Sequence, residues 1–471
     1  YSVIVIANHK IFRKGLIVLR QFLSDFYHDK TFSATLLKIA IPIILQNFIS
    51  SSLNMIDTIM IGRVGTVELA AVGVATQFFF FNIVILVGIC SGYCIFIAQY
   101  WGKKEVVSIK RYLGLILVYT FLIGILFTVV GILFAENIIR LFNDDPVVVR
   151  LGAVYIRTLA AGTLFSGLTY AFGYASRSIE NSFLPMISST IALICNTFLN
   201  YVLIFGNFGA PAMGVEGAAL ATLIARILEA GIIIAYIYYK KTPLAIRLRE
   251  FDLHPAFLVQ DFKTVLPVMC NELCWGLAVV IYTAAYGRIS TDALASIQIA
   301  TTVQNLFTIF GFGVSGATAT MVGNTIGRGL NNRAQTYAYR AMFLCLVIGL
   351  LLTGVILLLA PVFLWFYDLP SATVSHDALL MIRILALTMP IKLINMTVIM
   401  GILRAGGDVV FSLLFECCTM WFIGVPLAFI GALVLQWPVY MVFTLVIVEE
   451  IIKFVLCLWR AFSGKWIHSM V

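Results

Sequence analysis

The stretch GRVGTVELAAVGVAT, residues 62–76, lies without a gap over GRISTDALASIQIAT, residues 287–301, and seven positions agree. Gly62 meets Gly287, Arg63 meets Arg288, Leu69 meets Leu294 and Thr76 meets Thr301, each pair 225 residues apart. The same offset aligns Lys38 with Lys263, Pro42 with Pro267, Gly88 with Gly313, Gly92 with Ala317 and Gly102 with Gly327. A shift of 226 pairs Ile156-Arg157 with Ile382-Arg383, and a shift of 227 pairs Arg177 with Arg404. Glycines, prolines and arginines agree as well as apolar residues, so this is an internal repeat and not a chance likeness of hydrophobic segments.

Each repeat carries about six apolar runs of spanning length. The 471 residues are 61% hydrophobic and 11% charged, with a mean hydropathy of +1.02. Soluble domains run near 45–50% apolar and about 25% charged, so a soluble enzyme, a disordered chain and a disulfide-stapled secreted module are excluded. Runs of twenty or more apolar residues also exclude a barrel, whose strands alternate over about 10 residues. Twelve spans are predicted near 36–61, 69–100, 112–134, 152–175, 184–206 and 214–239, then 264–286, 293–326, 337–363, 376–403, 409–435 and 438–459. The predicted fold is an all-α polytopic membrane protein of two six-helix lobes. Six is an even number, so both halves enter the membrane from the same side, related by a pseudo-two-fold axis along the membrane normal. The predicted organisation is an N-terminal segment over 1–35, an N-lobe over 36–240, a linker over 241–262, a C-lobe over 263–460 and a tail over 461–471.

The formal net charge of +9 is a topology signal. Of 31 Lys and Arg, 22 fall in the termini and alternate loops of one side and 4 on the other, with the rest inside spans. By the positive-inside rule both termini are cytoplasmic, in the cell membrane, and nucleic-acid binding has no basis. The five histidines all lie in termini, loops or a helix start, and no G-x-x-x-x-G-K-[ST] phosphate loop occurs. Without mid-span metal ligands or a nucleophile–base set, an intramembrane enzyme is not expected, nor is a cofactor. Most of the nine cysteines sit in apolar runs and read as reduced packing residues. Gly88/Gly92 and Gly313/Ala317, small residues one turn apart, permit close helix approach. Pro42 and Pro267 stand about one turn into spans 1 and 7 and can bend them.

Ionisable side chains inside spans are costly, so they are functional candidates. Asp57 ends a polar stripe on span 1 made of Asn47, Ser51, Asn54 and Thr58, whose spacing predicts one face lining the lobe interior. With Asn196 and Asn200 on span 5 and Thr222 on span 6, Asp57 would form an oxygen-rich pocket for a proton or a small hard cation. In the other half Glu272, Lys392, Glu449 and Glu450 fall at similar depth, and a Glu272–Lys392 ion pair is predicted. Lys453 stands within one turn of Glu449 and Glu450 and would neutralise one of them, and Arg226 with Glu229 reads as a local pair. The acids break the repeat, since Asp57 faces Tyr282 and Glu272 faces Asn47. Aromatic residues, with Phe78–Phe81 unbroken, suit a flat apolar cation through cation–π contact.

These motifs resemble the multidrug and toxic compound extrusion (MATE) family. IAIPIILQNF…NMIDTIMIGRVGTVELAAVGVAT looks like that family's first helix and the start of its second. GILRAGGD at 401–408 resembles its signature after helix 10, with ASRSIEN at 175–181 as a diverged repeat, and NTFLNYVLIFG with GVEGAALAT resembles helices 5 and 6. The resemblance covers about 36–460. It implies a twelve-helix, two-lobe exporter of drugs or metabolites in exchange for Na+ or H+, working as a monomer in the bilayer. By position Asp57 matches the N-lobe acid, Asn196 and Thr222 its polar supports, and Glu272 the helix 7 acid of the NorM-like branch. Two departures stand out: Asn200 occupies a place where the family often has Asp, and Lys392 lies near a place where some members carry an acid. Both shift weight towards Glu272. The alternative is a lipid-linked precursor flippase on a related scaffold, disfavoured by uncompensated mid-span acids.

Overall fold

The computed structural model describes residues 30–250, 255–365 and 371–471. Most of the predicted N-terminal segment and four residues of the predicted linker lie outside the described residues. The first half folds as α1 (Lys30–Gly62), α2 (Thr66–Lys103), α3 (Val106–Leu133), α4 (Pro146–Ala160 and Gly162–Ser178), α5 (Phe183–Phe205) and α6 (Gly214–Tyr239). The second half gives α7 (Pro255–Gly287), α8 (Thr291–Gly327), α9 (Asn331–Trp365), α10 (Ala372–Met396, continued by a π-helical turn Thr397–Leu403), α11 (Val409–Thr419, running on to Val434) and α12 (Val439–Ser463). The repeat is visible in the helix starts: 30, 66, 106, 146, 183 and 214 recur at 255, 291, 331, 372, 409 and 439, an offset of 225 or 226 throughout.

Local chemistry sets these limits. Asp145 caps α4 by accepting from the Val147 amide at 2.8 Å, ahead of Pro146 in the first turn. Ser290 and Ser371 cap α8 and α10 in the same way. Gly206 ends α5 in the left-handed region, at φ 74°. Between its two halves α4 bends by 51°, and the Ala160 carbonyl freed there accepts from the hydroxyls of Thr128 and Thr163 at 3.0 and 2.8 Å. Pro42 and Pro267 each stand 12 residues into their helices, not one turn, because both helices begin before the apolar run does.

Among the described residues ten helices are long and apolar enough to cross a membrane, and the two halves of α4 together make an eleventh. The twelfth, α12, carries Glu449, Glu450 and Lys453 in mid-helix, and Glu449 and Lys453 are turned inward and buried. Outward faces are apolar, as Phe121, Leu122, Leu126 and Val129 of α3 illustrate. All nine cysteines are free thiols.

The lobes meet through α1 against α8, α2 against α7 and α2 against α8. The small residues marked by the repeat lie in these seams. A Cβ on Gly88 would come 2.8 Å from the Met269 Cα, and one on Gly92 3.2 Å from the Val265 Cα. Gly313 faces Ile44 and the Ala40 carbonyl, 3.1 Å from where its Cβ would be. At one end α2 and α8 cross backbone on backbone: Gly102 lies on the Asn324 carbonyl and Gly327 on the Gln99 carbonyl, with no room for a side chain at either. Residues 92–99 and 321–327 are all buried there, while Gly73, Thr76, Gln77, Gln298, Thr302 and Asn305, towards the other end, are exposed. The lobes are therefore shut at the lysine- and arginine-rich end and parted at the other.

Residues after α12 reinforce the shut end. The His468 amide donates to the Gly406 carbonyl at 2.8 Å, Ile467 bridges Gly407, and fully buried Trp466 packs on Gly406. Gln99 of α2 donates to the carbonyls of Ala405 and His468 at 3.1 and 3.3 Å and accepts from the Met470 amide at 2.8 Å. One N-lobe side chain thus holds two C-lobe segments. Placing a valine at Gly327 overpacks this crossing, at a cost of about 1–3 kcal/mol or more. The expected result is a thermal midpoint in detergent lowered by at least about 2 °C, and an unchanged midpoint would show that the helices slide apart freely.

Candidate functional site

The N-lobe pocket is built where the outer part of α1 meets α5 and α6. On α5, Asn196 and Asn200 are one turn apart and both buried, so two amides face α1 together. On α6 the run GAALAT brings small residues to α5: Gly217 lies so close that a Cβ would sit 2.6 Å from the Leu203 carbonyl oxygen. That close approach carries Thr222 to the amides. Asn200 donates to the Asp57 Oδ1 at 2.7 Å. With the Asn196 amide turned so that its oxygen accepts from the Thr222 amide at 3.2 Å, its nitrogen donates to the Asp57 Oδ2 at 3.0 Å. The Asn200 Oδ1 is buried with no partner. Tyr155 of α4, which sequence reasoning missed, is a buried neighbour of Thr222 and Asp57.

The structure therefore brings Asp57, Asn196, Asn200 and Thr222 together. It does not bring in the rest of the stripe. Asn47 donates to the Ile43 carbonyl of its own helix at 2.9 Å, and Ser51, Asn54 and Thr58 are exposed. Asn47, Ser51, Asn54 and Thr58 fall within about 60° of one another round the helix, and Asp57, on the flank of that face, turns towards α5 instead.

In the C-lobe the predicted Glu272–Lys392 pair does not form. Glu272 bonds Arg404 at 2.5 Å, and Arg404, only 5% exposed, also lies 3.9 Å from Glu416 of α11. Sequence reasoning counted Arg404 among loop charges, yet it follows the π-helical turn of α10 directly and points into the lobe. Its planar guanidinium, with five donors in a fixed fork, faces both carboxylates. Lys392 makes no ion pair with the described carboxylates and has Glu449, Glu450 and Lys453 as its charged neighbours. Lys453 bonds Glu449 at 2.7 Å and lies 3.8 Å from Glu450, so the local pair expected on α12 is present. Glu450 also accepts from the Asn395 amide nitrogen at 2.8 Å.

Tyr282 holds the place of Asp57 in the second repeat, and its hydroxyl donates to Glu449 at 2.6 Å. The two half-sites are inverted: α1 brings the carboxylate in one lobe, whereas α7 brings a phenol to a carboxylate on α12 in the other. Gly424, at the end of a π-helical turn in α11, makes room, since a side chain there would strike Tyr282 and Glu449.

A glutamine at position 272 would leave Arg404 buried with Glu416 alone, and breaking such a pair costs about 3–5 kcal/mol. Glu272→Gln is expected to lower the yield and thermal midpoint of folded protein in detergent, and Glu272→Leu with Arg404→Met and Glu416→Leu, which removes all three charges, to recover most of the loss. Equal stability of the single variant and the parent would show that the pair is dispensable for the fold.

With this geometry in hand the relatives are informative. The MatE family profile matches residues 42–202 and 266–430, one block in each lobe. The probable multidrug resistance protein YoeA of Bacillus subtilis is 28% identical over 403 residues, covering 83% of this chain and 85% of the relative. The probable multidrug resistance protein NorM of Thermotoga maritima is 25% identical, covering 92% of each chain. Among solved structures, MATE in complex with MaL6 superposes with a TM-score of 0.84 at 20% identity, over 92% of this chain and 96% of that one. An outward-facing multidrug resistance MATE transporter of the MOP superfamily gives 0.82 at the same identity and coverage. Two matched blocks, one per repeat, and a twelve-helix, two-lobe fold shared with solved MATE transporters lead to one conclusion: the chain belongs to the MatE family.

Proposed function

We propose that this protein is a secondary active exporter that expels apolar, often cationic drugs or metabolites in exchange for Na+ or H+, with Asp57 as the carboxylate that takes the ion. One observation carries the assignment. Glu229, Glu272, Glu449 and Asp408 are each buried and bonded to an arginine or lysine at 3.0 Å or less. Glu416 and Glu450 have Arg404 and Lys453 at 3.9 and 3.8 Å, and among the described intramembrane acids Asp57 alone forms no ion pair, its bonds coming from the neutral amides of Asn200 and Asn196. An acid already matched by a fixed cation has little to gain from a mobile one. A half-buried acid solvated by amide dipoles gains a full charge of compensation when Na+ or H+ arrives. The partnerless Asn200 Oδ1 beside it supplies a further oxygen of the kind a hard cation prefers.

Of the two coupling candidates, this reading keeps Asp57 and withdraws Glu272, which Arg404 already neutralises. The charge bias makes the shut, basic end cytoplasmic and the parted end external, so the conformation described is outward-open. In that state the Asp57 site faces the side from which the driving ion comes. The multidrug names of the relatives support the cargo class, and the flippase alternative draws nothing from them.

Dye efflux measured in inverted vesicles under separately imposed pH and sodium gradients tests the assignment. One of the two gradients is expected to drive efflux by the parent, and Asp57→Asn to abolish it while the protein still reaches the membrane. Full efflux by Asp57→Asn, or a parent indifferent to both gradients, would overturn the assignment.

A further inference from the structure

The pocket at Asp57 and the shut end of the lobes lie at opposite ends of the N-lobe helices, and a continuous run of side chains lies between them. Asn196, bonded to Asp57, meets Thr222 of α6, and Arg226 stands one turn beyond Thr222, where its charge reaches Asp57 without contact. It is itself bonded to Glu229 at 3.0 Å. The other Glu229 oxygen accepts from the Ser189 hydroxyl at 2.5 Å. Ser189 accepts from the Gln46 amide nitrogen at 2.7 Å, and the Gln46 oxygen accepts from Arg177 at 2.6 Å. Arg177 ends at the lobe seam, where its own carbonyl accepts from Thr320 of α8 at 3.2 Å. Three residues on, Glu180 accepts from Asn324 of α8 at 2.7 Å, beside the Gly102 crossing.

Three properties set this run apart from ordinary packing. Four helices contribute to it, α6, α5, α1 and α4, so no single helix requires it. Its donors all point one way: Arg177 to Gln46, Gln46 to Ser189, Ser189 to Glu229. Such chains polarise one another, and a change at the accepting carboxylate is felt along the whole run. Among the described residues it also has no counterpart in the C-lobe, where Arg404, the repeat partner of Arg177, reaches its acid directly.

We propose that Arg226, Glu229, Ser189, Gln46 and Arg177 are positioning residues that make the shut end sense whether Asp57 holds its ion. The proposal rests on Asp57 as the coupling carboxylate. With Asp57 ionised the set Asp57, Arg226, Glu229 and Arg177 is neutral, and Arg226, bonded to Glu229, also feels the Asp57 charge across a gap without touching it. Tyr155 and Tyr170 of α4 are the other titratable groups facing Arg226, and both are uncharged phenols. When an ion neutralises Asp57, the set carries one excess positive charge and Arg226 commits to Glu229. Glu229 then becomes a poorer acceptor for Ser189, the run loosens, and the Arg177 side chain no longer ties to α1 the end of α4 whose Arg177 carbonyl meets Thr320 at the seam. Ion loading from outside thereby favours opening of the inner end, the order of events an antiporter needs. The two-state element biased by both sites is the α2–α8 crossing.

Ser189→Ala removes one hydroxyl from the run without touching either end, and Ser189→Thr keeps it. In purified full-length protein, hydrogen exchange over residues 97–105 and 320–331 reports on the shut end, with and without the coupling ion and corrected for intrinsic rates. In the parent, the ion is expected to speed exchange in both segments. Ser189→Ala should lose that response and about tenfold of gradient-driven efflux, the scale of an ordinary coupling between sites, while dye affinity stays within about twofold. Ser189→Thr should restore the response, and Gln46→Leu should behave like Ser189→Ala. If Asp57→Asn loses the ion response but Ser189→Ala and Gln46→Leu keep it, the relay is wrong and the coupling carboxylate stands. If Asp57→Asn keeps the response, the carboxylate assignment fails and the relay with it.

Discussion

Two carbonyl oxygens, of Gln99 and Asn324, sit where side chains on Gly327 and Gly102 would have to be. This crossing fixes α2 and α8, the longest helices of their lobes, at one end and leaves the rest of their length free to diverge. A closer contact anywhere else would bind the lobes into one bundle, and a looser one here would let them separate. The glycines marked by the repeat are spent on lobe-to-lobe seams more than on the interior of either lobe. Gln99 then adds side-chain bonds to two segments of the other lobe, at Ala405 and at His468 and Met470.

The interior follows one electrostatic rule. In a medium that cannot solvate charge, an ion is kept only beside a counter-ion or in a dense set of dipoles. Glu272 with Arg404, Glu449 with Lys453 and Glu229 with Arg226 take the first course. Asp57 takes the second, with two amide nitrogens and no cation in contact. The repeat makes the difference plain, because the corresponding residue, Tyr282, is a phenol that serves an acid instead of being one. Equivalent positions of the two lobes thus carry opposite chemistry.

Most of the fold could be read from the sequence. The offset of 225 between Gly62 and Gly287 reappears in the starts of the helices to within one residue. Asp57, Asn196, Asn200 and Thr222 could be grouped because spacing along a helix fixes which side chains share a face. Partners between helices were less accessible. Depth along a span could not distinguish Lys392 from Arg404 as the partner of Glu272, since that choice depends on how α7, α10 and α11 rotate against each other. Arg404 was hidden by standing where a loop charge is expected, and its match to Arg177 spoke only for the repeat. The relay through Gln46 and Ser189 leaves no sequence signal, because an amide and a hydroxyl on two helices have no characteristic spacing. Asn54 misled for the converse reason: it shares a stripe with Asp57 but not a contact.

The charged helix α12 has a consequence for how the protein is made. Lys453 is one turn from Glu449, so that pair closes within the helix as soon as it forms, before any neighbour is present. Glu450 is not so provided, because its close partner is Asn395 of α10. Entering lipid alone, α12 would carry a carboxylate costing roughly 2.5–3.5 kcal/mol. It needs α10 already waiting in the bilayer, and the ribosome delivers the two in that order. The C-lobe thus assembles with its least lipid-soluble helix last, received by a binding site that the earlier helices have built for it.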